Sequence, residues 1–113
     1  EALKDAAAVP AEEAIRAATE TGYTALGFGG GALRKGNFAD AVLIDLAAPN
    51  MHPASDLRKN LVFSADVSNV LMTVAGGKIV YDRGRYDIGE SLDDIYSQCE
   101  KRRDRLRSQA AFV

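Results

Sequence analysis

Gly27-Phe28-Gly29-Gly30-Gly31-Ala32-Leu33-Arg34-Lys35-Gly36-Asn37-Phe38-Ala39-Asp40-Ala41-Val42-Leu43-Ile44-Asp45-Leu46 is the stretch from which the fold can be read. Gly27 stands where a helix should stop, because the residue just past a helix end often needs positive φ and glycine takes it cheaply. Gly29, Gly30 and Gly31 extend the break, and Gly36 gives a second sharp turn. From Ala39 to Leu46 the chain is apolar except for Asp40 and Asp45, the pattern of an inner strand covered on both faces. The order is therefore helix, turn, inner strand.

Working outward, Glu1 to Val9 is alanine-rich and reads as the end of a helix. Pro10 opens another, with Glu12 and Glu13 placing negative charge near its first amides. Ala14, Ile15, Ala18, Gly22, Ala25 and Leu26 recur at helical spacing and give it one small-residue face for close packing. Beyond the strand, Ala47 to Asp56 holds two prolines, an asparagine and His52, and reads as a surface connection. A short apolar piece, Asn60 to Ala65, follows. Val70–Ala75 and Lys78–Tyr81 then flank Gly76-Gly77, whose glycines supply the positive φ of a hairpin turn. Ser91, with Asp94 three residues on, caps a last helix whose Leu92, Ile95, Tyr96, Cys99 and Leu106 line one side, placing Cys99 in the core. Ala110 to Val113 is a fraying end.

With 113 residues, 47% hydrophobic and 27% charged, and a formal net charge of -2, the chain is at most one domain with an ordinary globular composition. That balance gives no bulk electrostatic case for nucleic acid or an anionic membrane. Cys99 is the single cysteine, so no intrachain disulfide forms, which suits a reducing, cytoplasmic setting. No apolar run approaches the length of a bilayer span. The opening at Glu1, inside a helical pattern, reads as a piece of a longer protein.

Several residues invite chemistry. His52 is the one histidine, sits in a proline-flanked loop and has no Cys or second His near it, which reads as a surface residue. Asp40 and Asp45, five apart on a strand, face opposite ways and are no catalytic pair; Asp40 reads as a partner for nearby backbone. Gly27–Gly36 precedes a strand and lacks the Lys and Ser or Thr of a phosphate loop. Lys101, Arg102, Arg103, Arg105 and Arg107 read as a solvated helix face. Cys99, in mid-helix on the apolar side, lacks the neighbours that activate a thiol.

Gly31, Leu33, Gly36, Ala39 and Asp40 followed by an apolar strand resemble the segment with which metal-dependent amidohydrolases leave their catalytic barrel and return to a small β-sandwich. Glu13-Ala14-Ile15-Arg16-Ala17-Ala18-Thr19, with Gly22, Ala25, Leu26 and Gly27, is similar to the helix that closes that barrel. Tyr23 departs from it where a small residue is usual, and Asn37 and Phe38 depart after the second glycine. Pro53, Asp56 and Asn60 to Ala65 resemble the branch containing atrazine chlorohydrolase, S-adenosylhomocysteine deaminase and guanine deaminase. Val70, Gly77, Lys78 and Val80 match its hairpin.

The resemblance implies an α+β fragment of a (β/α)8-barrel amidohydrolase: the last barrel helix over 1–27, β-sandwich strands and loops over 28–90, and a C-terminal helix over 91–113. It implies a parent that hydrolyses a C–N bond with a bound zinc or iron ion, deaminating an aminated heterocycle, with dechlorination as a known alternative in the branch. The family's metal ligands, four histidines and an aspartate, lie on barrel strands upstream. The expectation is that this chain alone holds no catalytic residue and no metal, and is inactive. Its partner would be the rest of the barrel or another copy of the chain, including a swapped dimer. A non-catalytic assembly module joined through apolar strand faces is the alternative reading.

Overall fold

The computed structural model describes residues 9–111, an α+β arrangement of helices and a four-stranded antiparallel sheet of order β1-β2-β3-β4. The alanine-rich reading of Glu1 to Ala8 lies outside the described residues, as does the end of the chain at 112–113. One uninterrupted helical run comprises α1 (Ala11–Arg16), a π-helical turn (Ala17–Thr21) and α2 (Gly22–Ala25). Pro10 takes the N-cap position, its carbonyl accepting from the Ala14 amide at 3.1 Å. Thr19 and Thr24 return their hydroxyls to the carbonyls of Ile15 and Glu20, local bonds that compete with the regular helical ladder. The run ends as its sequence predicts. Gly27 has φ +75°, its amide bonds to the Thr24 carbonyl, and the Phe28 amide reaches back to Tyr23, the paired bonds of a glycine-terminated helix.

The sheet consists of β1 (Ala41–Ile44), β2 (Val70–Ala75), β3 (Lys78–Asp82) and β4 (Arg85–Tyr86). Gly76 and Gly77, at φ +57° and +79°, make the two-residue turn between β2 and β3. A second such turn, Arg83-Gly84, adds the short β4, which the sequence reading lacks; it is held by the Tyr81–Tyr86 pair, 5.0 Å between ring centroids. The inner strand expected over Ala39–Leu46 is corrected here. β1 has four residues and pairs with β2 alone, and Val42 and Leu43 are 54% and 51% exposed. Its apolar composition stands, but no described element covers its faces.

The expected surface connection after β1 is also more ordered than its prolines suggest. Pro49–Met51 forms a 3-10 turn that buries Met51, after which the His52-Pro53 peptide is cis. The short apolar piece is the C-terminal part of α3 (Leu57–Phe63), capped by Asp56, whose carboxylate accepts from the amides of Arg58 and Lys59. α3 packs on α1, with Arg58 2.7 Å from Glu12. Between α3 and β2, Asp66 caps a second 3-10 turn, Val67–Asn69, that buries Asn69. This turn, the first one and the end of β1 meet through Asn69: its side-chain amide donates to Asp45 O and Asn50 Oδ1, and its oxygen accepts from Asn50 Nδ2 and the Asp66 amide. Four bonds satisfy the buried amide fully.

Ser91 caps α4 (Leu92–Ala110), its Oγ accepting from the Asp94 amide at 3.1 Å. The core position expected for Cys99 is corrected: the thiol is exposed, while Leu92 and Ile95 at the start of the same side are half-buried. Among the described residues Met51 and Asn69 are the ones fully buried.

Candidate functional site

Helix, loop and sheet meet at Tyr23. Its hydroxyl donates to Asp40 Oδ2, while Asp40 Oδ1 accepts from the Gly76 amide at 2.6 Å. One carboxylate thus joins the helical run, the start of β1 and the β2–β3 turn, where the Gly77 amide also bonds the Ala39 carbonyl. The glycines after the helix are required by this packing. A Cβ on Gly30 would enter the Tyr23 ring, and one on Gly31 would sit 2.5 Å from the Glu20 amide nitrogen, at a φ of +76°. Phe28 and Phe38 meet edge to face, 6.1 Å between centroids.

Tyr23, Phe28, Phe38 and Asp40, with Ala18, Thr19, Gly22 and Leu26, line an open apolar groove of about 530 Å³ whose polar end is the Tyr23–Asp40 pair. Electrostatics there follow from the hydrogen bonds. The Gly76 amide, and then the Tyr23 hydroxyl, hold the Asp40 carboxyl below its ordinary value against a smaller opposing effect of desolvation. The bond to Asp40, then desolvation and the carboxylate's charge, push the Tyr23 phenol up. A carboxylate held ionised and a phenol held protonated form a stable junction, with neither poised to exchange protons near neutrality. Tyr23 is the residue that sequence reasoning left without a role; its departure from a small residue was the available signal.

The other residues weighed from sequence are not brought together. His52 is exposed on its loop. Asp45 sits just past β1, its carboxylate accepting from the Ala47 amide, well apart in the chain from Asp40's partners. The loop through Gly31 folds back on the helix that precedes it. Lys101, Arg102, Arg103, Arg105 and Arg107 are exposed on α4, as expected of a solvated face. Among the described residues no three His, Cys, Asp or Glu side chains gather as a metal-binding group. A lone exposed imidazole, a lone exposed thiol and carboxylates engaged with backbone do not make a donor set for zinc or iron. Nor is any helix of the described residues long and apolar enough to cross a membrane.

Comparison with known proteins gives a consistent set of likenesses. The model of the amidohydrolase family matches residues 1–80. A 5-methylthioadenosine/S-adenosylhomocysteine deaminase of Natronomonas pharaonis is 40% identical over 78 residues, covering 69% of this chain and 18% of the relative. The enzyme of that name from Moorella thermoacetica is 37% identical over 100 residues, 87% of this chain and 23% of its own length. The crystal structure of an adenosine deaminase from Xanthomonas campestris with bound zinc superposes with a TM-score of 0.83 at 30% identity, over 94% of this chain and 24% of that one. The chain therefore spans about a quarter or less of the length of these relatives.

Proposed function

The chain belongs to the amidohydrolase family, and from that premise we propose that it is the C-terminal part of a metal-dependent hydrolase that deaminates an aminated heterocycle, an adenine nucleoside or thionucleoside first among them. The single observation that carries this reading is the agreement of relatives named as deaminases of such substrates, 33–40% identical to this chain. In this reading 1–27 ends the barrel as its last helix, 28–90 supplies strands and loops of the composite sandwich, and 91–113 is the terminal helix. The Tyr23–Asp40–Gly76 junction then ties barrel to sandwich.

A zinc or iron ion held by the parent would supply Lewis acidity toward water for such a hydrolysis. The donors among the described residues do not fit such an ion, and in this reading its ligands belong to the remainder of the parent. What these 113 residues contribute is shape: a helix face, a glycine turn and a sheet against which the catalytic part is held. The remainder of the parent covers β1 and the groove beside Tyr23.

The experiment is to express the whole native gene product and follow ammonia release from 5-methylthioadenosine, S-adenosylhomocysteine and adenosine. Release that a metal chelator abolishes and zinc or iron restores is the expected result. A native product that releases no ammonia from these or from guanine, cytosine or aminotriazines, or that releases it equally after metal removal, overturns the reading.

A further inference from the structure

α4 carries a pattern that the hydrolase reading does not use. Leu92, Tyr96, Cys99, Arg103, Leu106 and Ala110 follow one another at alternating steps of four and three. These six form the central seam of one face that also takes in Ile95, half-buried like Leu92, and the seam spacing is that of one helix lying along another. Tyr96 and Leu106 are 57% and 61% exposed, and Cys99 is exposed beside them.

The charges say which helix fits. From Leu92 to Glu100 the helix carries Asp93, Asp94 and Glu100 and no cation; from Lys101 to Ala110 it carries Lys101, Arg102, Arg103, Arg105 and Arg107 against Asp104 alone. The helix dipole accounts for charges in the first and last turns only, hence for Asp93, Asp94 and Arg107 but not for the cluster from Glu100 to Arg105. Arg103 and Asp104, 3.0 Å apart, form the one ion pair on α4 among the described residues, so most of this charge is not neutralised within the helix. A helix acidic in one half and basic in the other is complementary to itself reversed.

We propose that α4 is a self-association surface that pairs antiparallel with α4 of a second copy across a twofold axis near residue 101. The seam then sets Tyr96 against Leu106 of the partner subunit, Cys99 against Arg103 of the partner subunit, and Asp93 near Arg107 of the partner subunit. Each contact is made twice. A parallel pair would set Arg103 on Arg103 and like halves on like, so the seam itself selects the antiparallel orientation.

Sedimentation velocity of the whole native gene product, from submicromolar to tens of micromolar, tests this on wild type and two variants. One reverses the acidic end (Asp93→Lys with Asp94→Lys), the other the basic end (Arg105→Glu with Arg107→Glu). The expected result is a dimer that raised salt weakens and whose dissociation constant rises about tenfold or more in either variant. An equal mixture of the two variants regains the dimer, which misfolded variants would not do. A monomer at every concentration overturns the proposal and assigns the seam to the remainder of the same chain. A dimer insensitive to both reversals, or variants that fail to rescue each other, overturns it as well.

Discussion

Tyr23 and Asn69 each join segments far apart in the chain, and neither declares that role in the sequence. Asn69 is fully buried and satisfied by four hydrogen bonds. Asn69→Ala removes the acceptor of the Asp66 amide and the donor to Asn50 Oδ1, leaving Asn50 Nδ2 only the Ser64 carbonyl, and should destabilise the native gene product by about 1–3 kcal/mol in denaturant titration. At Tyr23 the expectation concerns pH. Because Asp40 in the folded chain titrates below its ordinary 3.8, the unfolded state binds more protons in the interval between, so this contribution is complete above pH 3.8 and is lost as pH falls through the lowered value. The raised Tyr23 phenol works the other way, its contribution complete below pH 10.0 and lost as pH rises through the raised value. The stability gap between wild type and Tyr23→Phe should therefore be flat through neutrality and close at both extremes, and carboxyl NMR should show Asp40 nearer its ordinary value in the variant. Sequence reading placed Asp40 against nearby backbone, and the Gly76 amide is that partner; which backbone, 36 residues away, depends on how the hairpin returns.

Among the elements, those governed by local chemistry were legible and those governed by distant neighbours were not. The Gly27 helix stop, the Gly76-Gly77 hairpin and the Ser91 cap need only residues within a few positions, and each is found as read. The same local logic makes a prediction for the glycine turn. Gly31→Ala meets both a φ of +76° and the Glu20 backbone, which should cost about 1–3 kcal/mol, whereas Gly29→Ala meets open space and should stay within about 0.5 kcal/mol; thermal unfolding of both distinguishes them. By contrast, an apolar run states that a strand is to be covered but not by what. β1 was therefore read as inner, yet it is an edge with exposed faces in this chain. Cys99 differs for the same reason, since a periodic apolar face on α4 implies a partner but not how far along the helix it reaches, and at Cys99 the face is exposed. As for the candidate site, its glycines and Asp40 were visible in the motif, while Tyr23 was visible only as a departure.

At the scale of the whole molecule, the exposed surface is too large for a finished domain. The chain exposes 9310 Å², against about 6,000 Å² for a folded monomer of its mass. Its radius of gyration is 19.1 Å, where a compact domain of this length has about 13 Å. Leu26, Phe28, Leu33, Val42 and Leu43 are among the apolar side chains left at the surface. In the proposed hydrolase such surfaces are inner surfaces, packed on the remainder of the parent. By that account the isolated 113 residues should unfold without a sharp cooperative transition and release no ammonia, whereas in the native product hydrogen exchange at Ala41–Ile44 should be slow. The most direct test of the claim that these residues are one part of a larger enzyme is the intact mass of the native gene product. The account predicts about four times the 12.1 kDa of this chain, enough for a barrel of some 250 residues and the rest of a sandwich. A native product of 12.1 kDa would contradict it, and the exposed faces would then have to be covered by self-association alone.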